Sequence, residues 1–488
     1  MQHQAHRYRD YVWLTGILVL AIILRVIGLN APLWFDEIVT VHSYVQGPWR
    51  EITQGYSMNN HYLFTLQSKL AATLFGDEIW AYRLPAVLFG TGTVLAIWWL
   101  ARDIAGATVA HVSALLVAMS YHQVWFSQNA RGYTELAFWS TLGMILFLRG
   151  VQVPRRGIWI AFGLTLAAAV STHLTGAFFF VALGMVWLVL VATSALKGRF
   201  SRDLFITPLV GAATGIALLV AFYAPVLPDI FATLGTVSET SSADLMQEYQ
   251  NPLWTVLEGV RTAMGRIGAL ALLVAAGVLV VAGIGAVGLH RRSPLFAPIV
   301  LAHIVLTLVL LQILGMRIWP RFFFADIGFV IILIVAGTST GAHAVGRLAG
   351  RPELARYLFA AAAAVMVVLS AALVYRNYSK PKQDLAGAYR LVEDIRIPGE
   401  RVYSIGHSGP IFSDYFGADW GNLMSQQDYD RALSYPGPII LVVPFPARSH
   451  RMIPTLREDT GQVLQPVRRF PGTLGDGDIL VLRRTGHD

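Results

Sequence analysis

The sequence predicts a polytopic α-helical membrane protein of about 11 transmembrane helices with a C-terminal extracytoplasmic α/β domain. Of its 488 residues, 55% are hydrophobic and only 14% are charged, against roughly 25% charged in an ordinary soluble domain. The apolar residues fall in long blocks, which is typical of membrane-spanning helices. After residue 376 these blocks stop and Gly and Pro become frequent, which indicates a separate soluble domain.

Eleven apolar blocks are long enough to be candidate spans. They cover residues 11–29, 80–101, 104–121, 132–149, 157–173, 175–195, 204–227, 267–289, 294–314, 320–340 and 356–375. No small-x-small cleavage pattern follows the first block, so we expect it to be a retained anchor.

Basic residues in the short connections orient these spans. One set of connections contains Arg7, Arg9, Arg102, Arg149, Arg155, Arg156, Lys197, Arg199, Arg202, Arg291, Arg292, Arg347, Arg351 and Arg356. The positive-inside rule assigns that set to the cytoplasm. The opposite set is then extracytoplasmic, and it includes residues 30–79, 122–131, 228–266, 315–319 and everything after 376. We therefore expect a multi-pass protein of the inner (plasma) membrane.

The segment 377–488 has the pattern of a small α/β domain. Gln383–Ile395 is amphipathic with a helical period, and residues 401–405, 438–443 and 478–483 are predicted strands. The glycines of 472–477 precede a strand instead of joining a strand to a helix, so they are not a nucleotide fingerprint and no nucleotide cofactor is expected. We expect the domain to be a structural or acceptor-handling appendage.

Composition also excludes some classes of function. The net charge of +8 can indicate nucleic-acid binding, but here the cations lie in the membrane-orienting connections, so no nucleic-acid partner is expected. The chain has no cysteine, which excludes disulfides and thiolate chemistry.

Asp36 and Glu37 are the first candidate catalytic residues. They follow the first span, which is long enough to cross the roughly 30 Å hydrocarbon core and deliver them to the interface. Two carboxylates at a helix N-terminus can simply lie on its polar face. Alternatively, Asp36 is a general base that activates an acceptor hydroxyl or amine for attack on an anomeric carbon, and Glu37 supports it or binds a cation.

Two histidines lie on the same side of the membrane. His61 follows Asn60 in the first loop, and His173 lies in the turn between two spans. Each can be an ordinary histidine satisfied by its surroundings, or it can bind sugar hydroxyls with Asn60. A divalent cation held by Glu37 and His61 is a further alternative.

The turn 127–135 and the segment 317–321 supply candidate phosphate ligands. Arg131 can bind phosphate oxygens, with Gln128 and Tyr133 as additional donors, or it can reach lipid headgroups. Gln128 is also a candidate sugar or acceptor ligand, together with Asn60, His61 and His173. Glu135 lies one helical turn further on, and Arg131 is its expected partner. Arg317 and Arg321 can bind phosphate or anchor the chain beside Trp319. Together these residues suit a lipid-linked phosphosugar, with its phosphate on arginine and its sugar near the acidic pair.

At these positions the chain resembles the polyprenyl-phosphate-dependent membrane glycosyltransferases of the C superfamily, in particular the protein O-mannosyltransferase and lipid A aminoarabinose transferase-like group. The resemblance covers most of the membrane part. It is carried by Arg25, Leu33 to Glu37, Asn60-His61, Leu74 to Pro85, Ser127 to Tyr133 and Arg317 to Phe324.

The resemblance implies a hexosyl- or pentosyltransferase that moves a sugar from a polyprenyl-phosphate donor to an extracytoplasmic lipid, polysaccharide or protein, with inversion. Asp36 is then the base, and Arg131, Tyr133 and Arg321 lie near the donor phosphate. Residues 1–376 form the transferase domain, with a catalytic first loop at about 30–79, and residues 377–488 form the soluble domain. A transporter or flippase of lipid-linked sugars and a non-catalytic membrane scaffold are the alternatives.

Overall fold

The computed structural model describes residues 2–54, 57, 59–233, 251 and 268–485. Helices make up its membrane part. In chain order they are α1 (Gln2–Val26), α2 (Phe35–Thr40), α3 (Trp49–Gln54), α4 (Tyr62–Phe75), α5 (Ile79–Ala105), α6 (Ala107–Ala118), α7 (Tyr121–Ser127), α8 (Tyr133–Gln152), α9 (Arg156–Thr172), α10 (Gly176–Leu196), α11 (Arg202–Tyr223), α12 (Gly268–Leu289), α13 (Phe296–Ile313), α14 (Asp326–Leu348) and α15 (Leu354–Ser379). A π-helical turn, Val41–Val45, continues α2.

Each of the eleven predicted spans coincides with a helix. Among the described residues, seven helical stretches are long and apolar enough to cross a membrane: α5, Arg202–Thr233, Leu272–Leu289, α10, α13, α14 and α15. Two shorter apolar helices, α6 and α9, correspond to further predicted spans, and α1 and α8 to the remaining two. The fold class is therefore confirmed.

Two predicted span boundaries are wrong for local reasons. The block 104–121 forms only the twelve residues of α6, because Gly106 at a φ of 94° separates it from α5 and because α7 begins a new helix at Tyr121. The block 320–340 becomes helical only at Asp326, because Pro320 begins a separate 3-10 turn, Pro320–Phe323. The outer end of that span is therefore a turn and not a continuous helix.

Small residues allow two pairs of membrane helices to approach closely. Where α9 crosses α11, a Cβ on Gly211 would lie 2.3 Å from the carbonyl oxygen of Trp159. Where α12 crosses α14, a Cβ on Gly337 would lie 1.9 Å from the carbonyl oxygen of Val281. Helices in lipid associate through such backbone contact, since lipid tails offer no hydrophobic driving force between them.

The C-terminal part is a five-stranded mixed sheet with flanking helices. Its elements are α16 (Leu385–Ile395), β1 (Arg401–Ile405), β2 (Gly421–Leu423), α17 (Gln426–Leu433), β3 (Ile439–Pro444), α18 (Pro446–Met452), α19 (Leu456–Asp459), β4 (Gln465–Phe470) and β5 (Ile479–Arg484). The strand order is β2-β1-β3-β5-β4. Strands β2, β1 and β3 are parallel, and β5 runs antiparallel to β3 and β4.

The sheet and the first loop share one apolar core. The buried side chains of Leu33, Ile38 and Val41, from the segment that contains α2, belong to the same cluster as Leu385 of α16 and Phe412. The soluble part therefore packs directly on the segment that carries the acidic pair.

The glycine contact between α9 and α11 gives a stability test. We expect Gly211→Ala to lower stability by about 1–3 kcal/mol, because the new methyl group meets backbone atoms that cannot move aside alone. Gly184→Ala is the matched control in α10, where a Cβ meets nothing within 4 Å, and helix propensity predicts a small gain there. The thermal unfolding midpoints of the two purified variants check this, and equal midpoints would contradict the close crossing.

Candidate functional site

Glu37 is fully buried and is held by a bidentate ion pair. Arg83 of α5 donates from Nε to Oε1 at 2.8 Å and from Nη2 to Oε2 at 2.7 Å. The backbone N–H of Ala130 donates to the same carboxylate at 2.6 Å. The carboxylate thereby joins α2, α5 and the turn between α7 and α8.

Arg83 also fixes the connection between α1 and α2. Its Nη1 donates to the carbonyl oxygens of Leu29 at 2.6 Å and Ala31 at 2.8 Å. A planar guanidinium can make several such bonds at once in a fixed geometry. The path of the chain into α2, and with it the position of Asp36, is therefore set by this one side chain.

The charged form of Glu37 is favoured despite its burial. Burial alone would raise the pKa of Glu37, but attraction to Arg83 and Lys382 and the hydrogen bonds from Arg83 and Ala130 lower it below its ordinary value. Glu37 is therefore an ionised structural anchor at neutral pH.

Asp36 faces a different environment from its neighbour. Its Oδ2 accepts a hydrogen bond from Arg321 Nη1 at 3.1 Å, and the two side chains keep 18% and 29% of their surface exposed. The guanidinium carbons of Arg321 and Arg317 lie 5.0 Å and 5.7 Å from the centre of the Trp319 ring. The Asp36 carboxylate and the Arg321 guanidinium, 285 residues apart in sequence, thus meet at a partly open surface, and the Arg317 guanidinium lies beside the same tryptophan.

Arg131 is buried beside α2, but its partners are not those predicted. Its Nη1 donates to the Thr40 hydroxyl at 2.8 Å and to the Asn59 carbonyl oxygen at 2.5 Å. The expected pairing of Arg131 with Glu135 is wrong. Glu135 Oε1 accepts instead from Gln67 of α4 at 2.8 Å and from Trp139, one turn further along α8, at 3.1 Å.

His61, Tyr133 and His173 form a compact cluster of rings. The ring centroids of His61 lie 4.9 Å from Tyr133 and 4.7 Å from His173. Phe322, from the 3-10 turn, lies 5.9 Å from His173. The first loop, the start of α8, the α9–α10 turn and the segment after Trp319 therefore meet at one place.

The surroundings of both histidines in this cluster favour the neutral imidazole. Burial, followed by the positive charge of Arg131, lowers the pKa of His61 well below its usual value. The same two causes lower the pKa of His173 to about 3. Neutral imidazoles can donate or accept hydrogen bonds, whereas imidazolium ions can only donate.

Unsatisfied polar atoms lie beside the ring cluster. His61 Nδ1 accepts from the Gly132 N–H at 2.8 Å, but within the part of the chain that the structure describes its Nε2 is buried without a hydrogen-bond partner. Both polar atoms of the Asn60 side chain and the Nε of Arg131 are in the same condition. Buried groups of this kind cost free energy unless a ligand or water binds them, so they are candidate ligand contacts.

Gln128 lies apart from these contacts and connects two membrane helices. Its amide nitrogen donates to the carbonyl oxygen of Ile27 at 2.5 Å, and its amide oxygen accepts from Asn377 at 3.0 Å. It therefore connects the end of α1 to α15, and none of its described contacts reaches the ring cluster.

The sequence pattern indicates no role for Arg83, although the segment Leu74 to Pro85 that contains it carries part of the family resemblance. The signal was present, since Arg83 lies within a predicted span, and a charge placed there is costly unless it is paired. Its partner could not be read from the sequence because Glu37 lies 46 residues away.

The donor set does not fit a resident metal ion held by Glu37 and His61. Both oxygens of Glu37 already accept hydrogen bonds from Arg83. Within the described ranges, no group of three His, Asp or Glu side chains is arranged to hold a metal ion.

The buried ion pair gives a second stability test. We expect Arg83→Met to cost about 3–5 kcal/mol, because it leaves the Glu37 carboxylate buried without its counter-charge. Arg149→Met is the matched control, since Arg149 pairs with Asp103 where both side chains are 41% exposed, and such surface pairs contribute about 0–1 kcal/mol. Thermal unfolding of both variants measures the difference, and equal losses would contradict an anchoring role for the buried pair.

Part of the chain matches a known protein family, and nearly all of it is similar in fold to solved structures. Residues 63–228 match the family described as dolichyl-phosphate-mannose-protein mannosyltransferase. No curated protein sequence matches the chain.

Solved structures of membrane enzymes are similar over most of the length. ArnT from Cupriavidus metallidurans bound to undecaprenyl phosphate is 13% identical with a TM-score of 0.52, covering 98% of this chain and 99% of that one. The oligosaccharyltransferase AglB from Archaeoglobus fulgidus, in complex with an inhibitory peptide and a dolichol-phosphate, is 12% identical with a TM-score of 0.53, covering 90% and 70%. The A. fulgidus oligosaccharyltransferase in complex with Zn and sulfate is 13% identical with a TM-score of 0.51, covering 89% and 68%.

The family match and the fold agree with the resemblance carried by the sequence motifs. The predicted resemblance to the polyprenyl-phosphate-dependent membrane glycosyltransferases of the C superfamily is confirmed, and this chain is a membrane protein with their fold.

Proposed function

We propose that the protein is a glycosyltransferase that moves a sugar from a polyprenyl-phosphate donor to an extracytoplasmic acceptor with inversion at the anomeric carbon. The observation that carries the proposal is the contact between Asp36 and Arg321. It joins a candidate base to a candidate phosphate ligand across 285 residues of sequence, at a partly exposed surface.

The donor's phosphate is assigned to the arginines around Asp36. Arg321 and Arg317 flank Trp319, and guanidiniums bind phosphate oxygens through directed hydrogen bonds. Undecaprenyl phosphate in ArnT and dolichol-phosphate in AglB support this class of ligand. When the donor binds, Arg321 exchanges its bond to Asp36 for bonds to the phosphate, which frees the carboxylate to act as a base.

The sugar is assigned to the ring cluster. Asn60 and His61 offer buried polar atoms that have no hydrogen-bond partner among the described residues, and His173 and Tyr133 lie against His61. Neutral imidazoles and an amide suit hydroxyl groups, which both donate and accept. Arg131 lies beside the same cluster and is assigned, with Arg317 and Arg321, to the donor phosphate.

The reaction follows from these positions. The acceptor O–H or N–H gives its proton to Asp36 while its oxygen or nitrogen forms a bond to the anomeric carbon. The bond between that carbon and the phosphate oxygen breaks, and the polyprenyl phosphate leaves with the electron pair. Arg321 and Arg317 stabilise the negative charge that develops on the departing phosphate, so it need not be protonated.

The location of the site follows from the predicted topology. The distribution of basic residues assigns the α1–α2 connection and the sheet domain to the extracytoplasmic side of the inner membrane. The donor then reaches the site within the bilayer, and the acceptor reaches it from outside. Residues 1–376 are assigned as the transferase domain, with residues 30–79 as its catalytic loop.

Substitution of Asp36 tests the chemistry. We expect Asp36→Asn to lower the release of polyprenyl phosphate by about 10²–10⁴-fold, because the amide keeps the shape but accepts no proton. The assay supplies the purified protein with a polyprenyl-phosphate sugar and an envelope extract as the source of acceptor. Asp103→Asn, at the exposed pair with Arg149, is the matched control and should retain activity. Full activity in Asp36→Asn would rule out the assigned base.

If the wild-type protein moved the donor across a bilayer without cleaving it, the flippase alternative would replace the transferase.

The histidines give a pH test. Because the pKa of His173 is lowered to about 3, His173 should not gain charge between pH 8 and pH 5. The pH profiles of kcat/KM for wild type and His173→Gln should therefore have the same shape over that range, even if their heights differ. A limb with an apparent pKa near 6.5 that disappears in His173→Gln would contradict the neutral cluster.

A further inference from the structure

A short linker, defined here as Pro381–Asp384, joins α15 to the sheet domain and crosses the site. The Lys382 ammonium donates a hydrogen bond to the carbonyl oxygen of Gln128 and lies 5.3 Å from the centre of the Trp125 ring. The linker therefore contacts the turn between α7 and α8. The backbone N–H of Ala130 in the same turn donates a hydrogen bond to Glu37.

Gln383 contacts the residue that precedes the proposed base. Its side chain is 2% exposed, and its Oε1 accepts a hydrogen bond from the backbone N–H of Phe35 at 3.4 Å. Phe35 is the first residue of α2, where backbone N–H groups have no partner within the helix. Gln383 therefore caps the turn on which Asp36 is presented.

The sheet domain holds the linker in place. The backbone N–H groups of Thr473 and Leu474 donate to the carbonyl oxygens of Pro381 at 3.0 Å and Lys382 at 3.2 Å. The Thr473 hydroxyl accepts from Trp125 Nε1 at 3.1 Å. The linker is thus bonded to the sheet domain on one side and to the membrane domain on the other.

The sheet domain also touches α2 and its continuation directly. The Phe445 ring, which follows β3, lies 5.5 Å from the Phe35 ring in an edge-to-face arrangement. Tyr415 lies 6.2 Å from His42. These contacts extend the shared apolar core, so α2 is enclosed by both parts of the protein.

We propose that the linker and the sheet domain are part of the catalytic apparatus, with Gln383 as a positioning residue for Asp36 and Lys382 as a positioning residue for the α7–α8 turn. The inference rests on the proposed role of Asp36 as the base. It replaces the expectation of an appendage with an element that the reaction requires.

The charge environment of Lys382 supports this arrangement. Burial lowers the pKa of Lys382 well below its ordinary value, the Arg83 charge adds to that effect, and Glu37 opposes it. The linker ammonium is therefore close enough to the buried ion pair for both partners to affect it. Movement of the linker would disturb the anchor of α2.

Matched substitutions test the proposal by kinetics. We expect Gln383→Met and Lys382→Met each to lower kcat by about 10- to 100-fold, because small displacements of a catalytic group are costly. KM for the polyprenyl-phosphate sugar should stay within about threefold of wild type, since neither residue is assigned to the donor. Gln427→Met and Lys380→Met are the controls, because both side chains are exposed, and they should retain full kcat.

Hydrogen–deuterium exchange gives a readout that does not depend on activity. In Gln383→Met, amides of residues 35–38 should exchange at least about tenfold faster than in wild type, whereas Gln427→Met should leave them unchanged. Gln383→Glu keeps an oxygen that can accept from Phe35 and should restore most of the protection. If the wild-type protein transferred no sugar, the proposed function would fail, and the exchange of these amides alone would decide the positioning role.

The proposal is overturned by either of two results. One is a kcat within twofold of wild type for both Gln383→Met and Lys382→Met. The other is unchanged exchange at residues 35–38 in Gln383→Met. If Lys382→Met fails to fold, Lys382→Arg keeps a donor for Gln128 and should retain kcat, while Gln383→Met carries the test.

Discussion

The structure of the site depends on the buried ion pair between Arg83 and Glu37. Placing two charges in a low-dielectric interior costs several kcal/mol for each ion, and the cost is offset only when the geometry is good and the remaining hydrogen-bonding groups are satisfied. Both conditions hold, because Arg83 contacts Glu37 through two N–H groups and also donates to the connection between α1 and α2. One pair thereby joins α5 to α2 and to the segment between α1 and α2.

The pair also explains how two adjacent carboxylates can have different tasks. Successive residues of a helix point about 100° apart, so when Glu37 turns inward to Arg83, Asp36 must turn toward another side. The side it meets is partly open and carries Arg321. Burial and a fixed counter-charge make Glu37 an anchor, whereas Asp36 is partly exposed beside Arg321, as its proposed role as the base requires. The linker residue Gln383 accepts a hydrogen bond from the backbone N–H of Phe35 in the same short helix, although the two residues are 348 positions apart in sequence.

Prediction from sequence succeeded where the physical signal is local. Hydropathy predicted eleven apolar blocks that all overlap helices, and seven helical stretches among the described residues are long and apolar enough to cross a membrane. The signal is local because each helix in lipid must satisfy its own backbone and present apolar side chains. Strands β1, β3 and β5 were predicted from short apolar runs, whereas β2 has only three residues and β4 is almost entirely exposed, so neither carries an apolar pattern.

The motifs around Asp36, His61 and Arg131 were visible as polar residues at the outer ends of spans. Their partners were not visible. Arg131 forms hydrogen bonds to Thr40 and Asn59 instead of the neighbouring Glu135. Gln128 forms hydrogen bonds to residues at the end of α1 and in α15. Such contacts across a helix bundle depend on tertiary packing, so no periodic pattern in the sequence predicts them.

The central claim is that Asp36 and Arg321 form one reaction centre on a scaffold held by Glu37 and Arg83. A structure of the protein with bound polyprenyl phosphate tests it most directly. The account predicts that the phosphate lies within hydrogen-bond distance of Arg321, that the contact between Arg321 and Asp36 has opened, and that the Glu37–Arg83 pair is unchanged. A phosphate bound away from Arg321, with the Asp36–Arg321 contact intact, would contradict it.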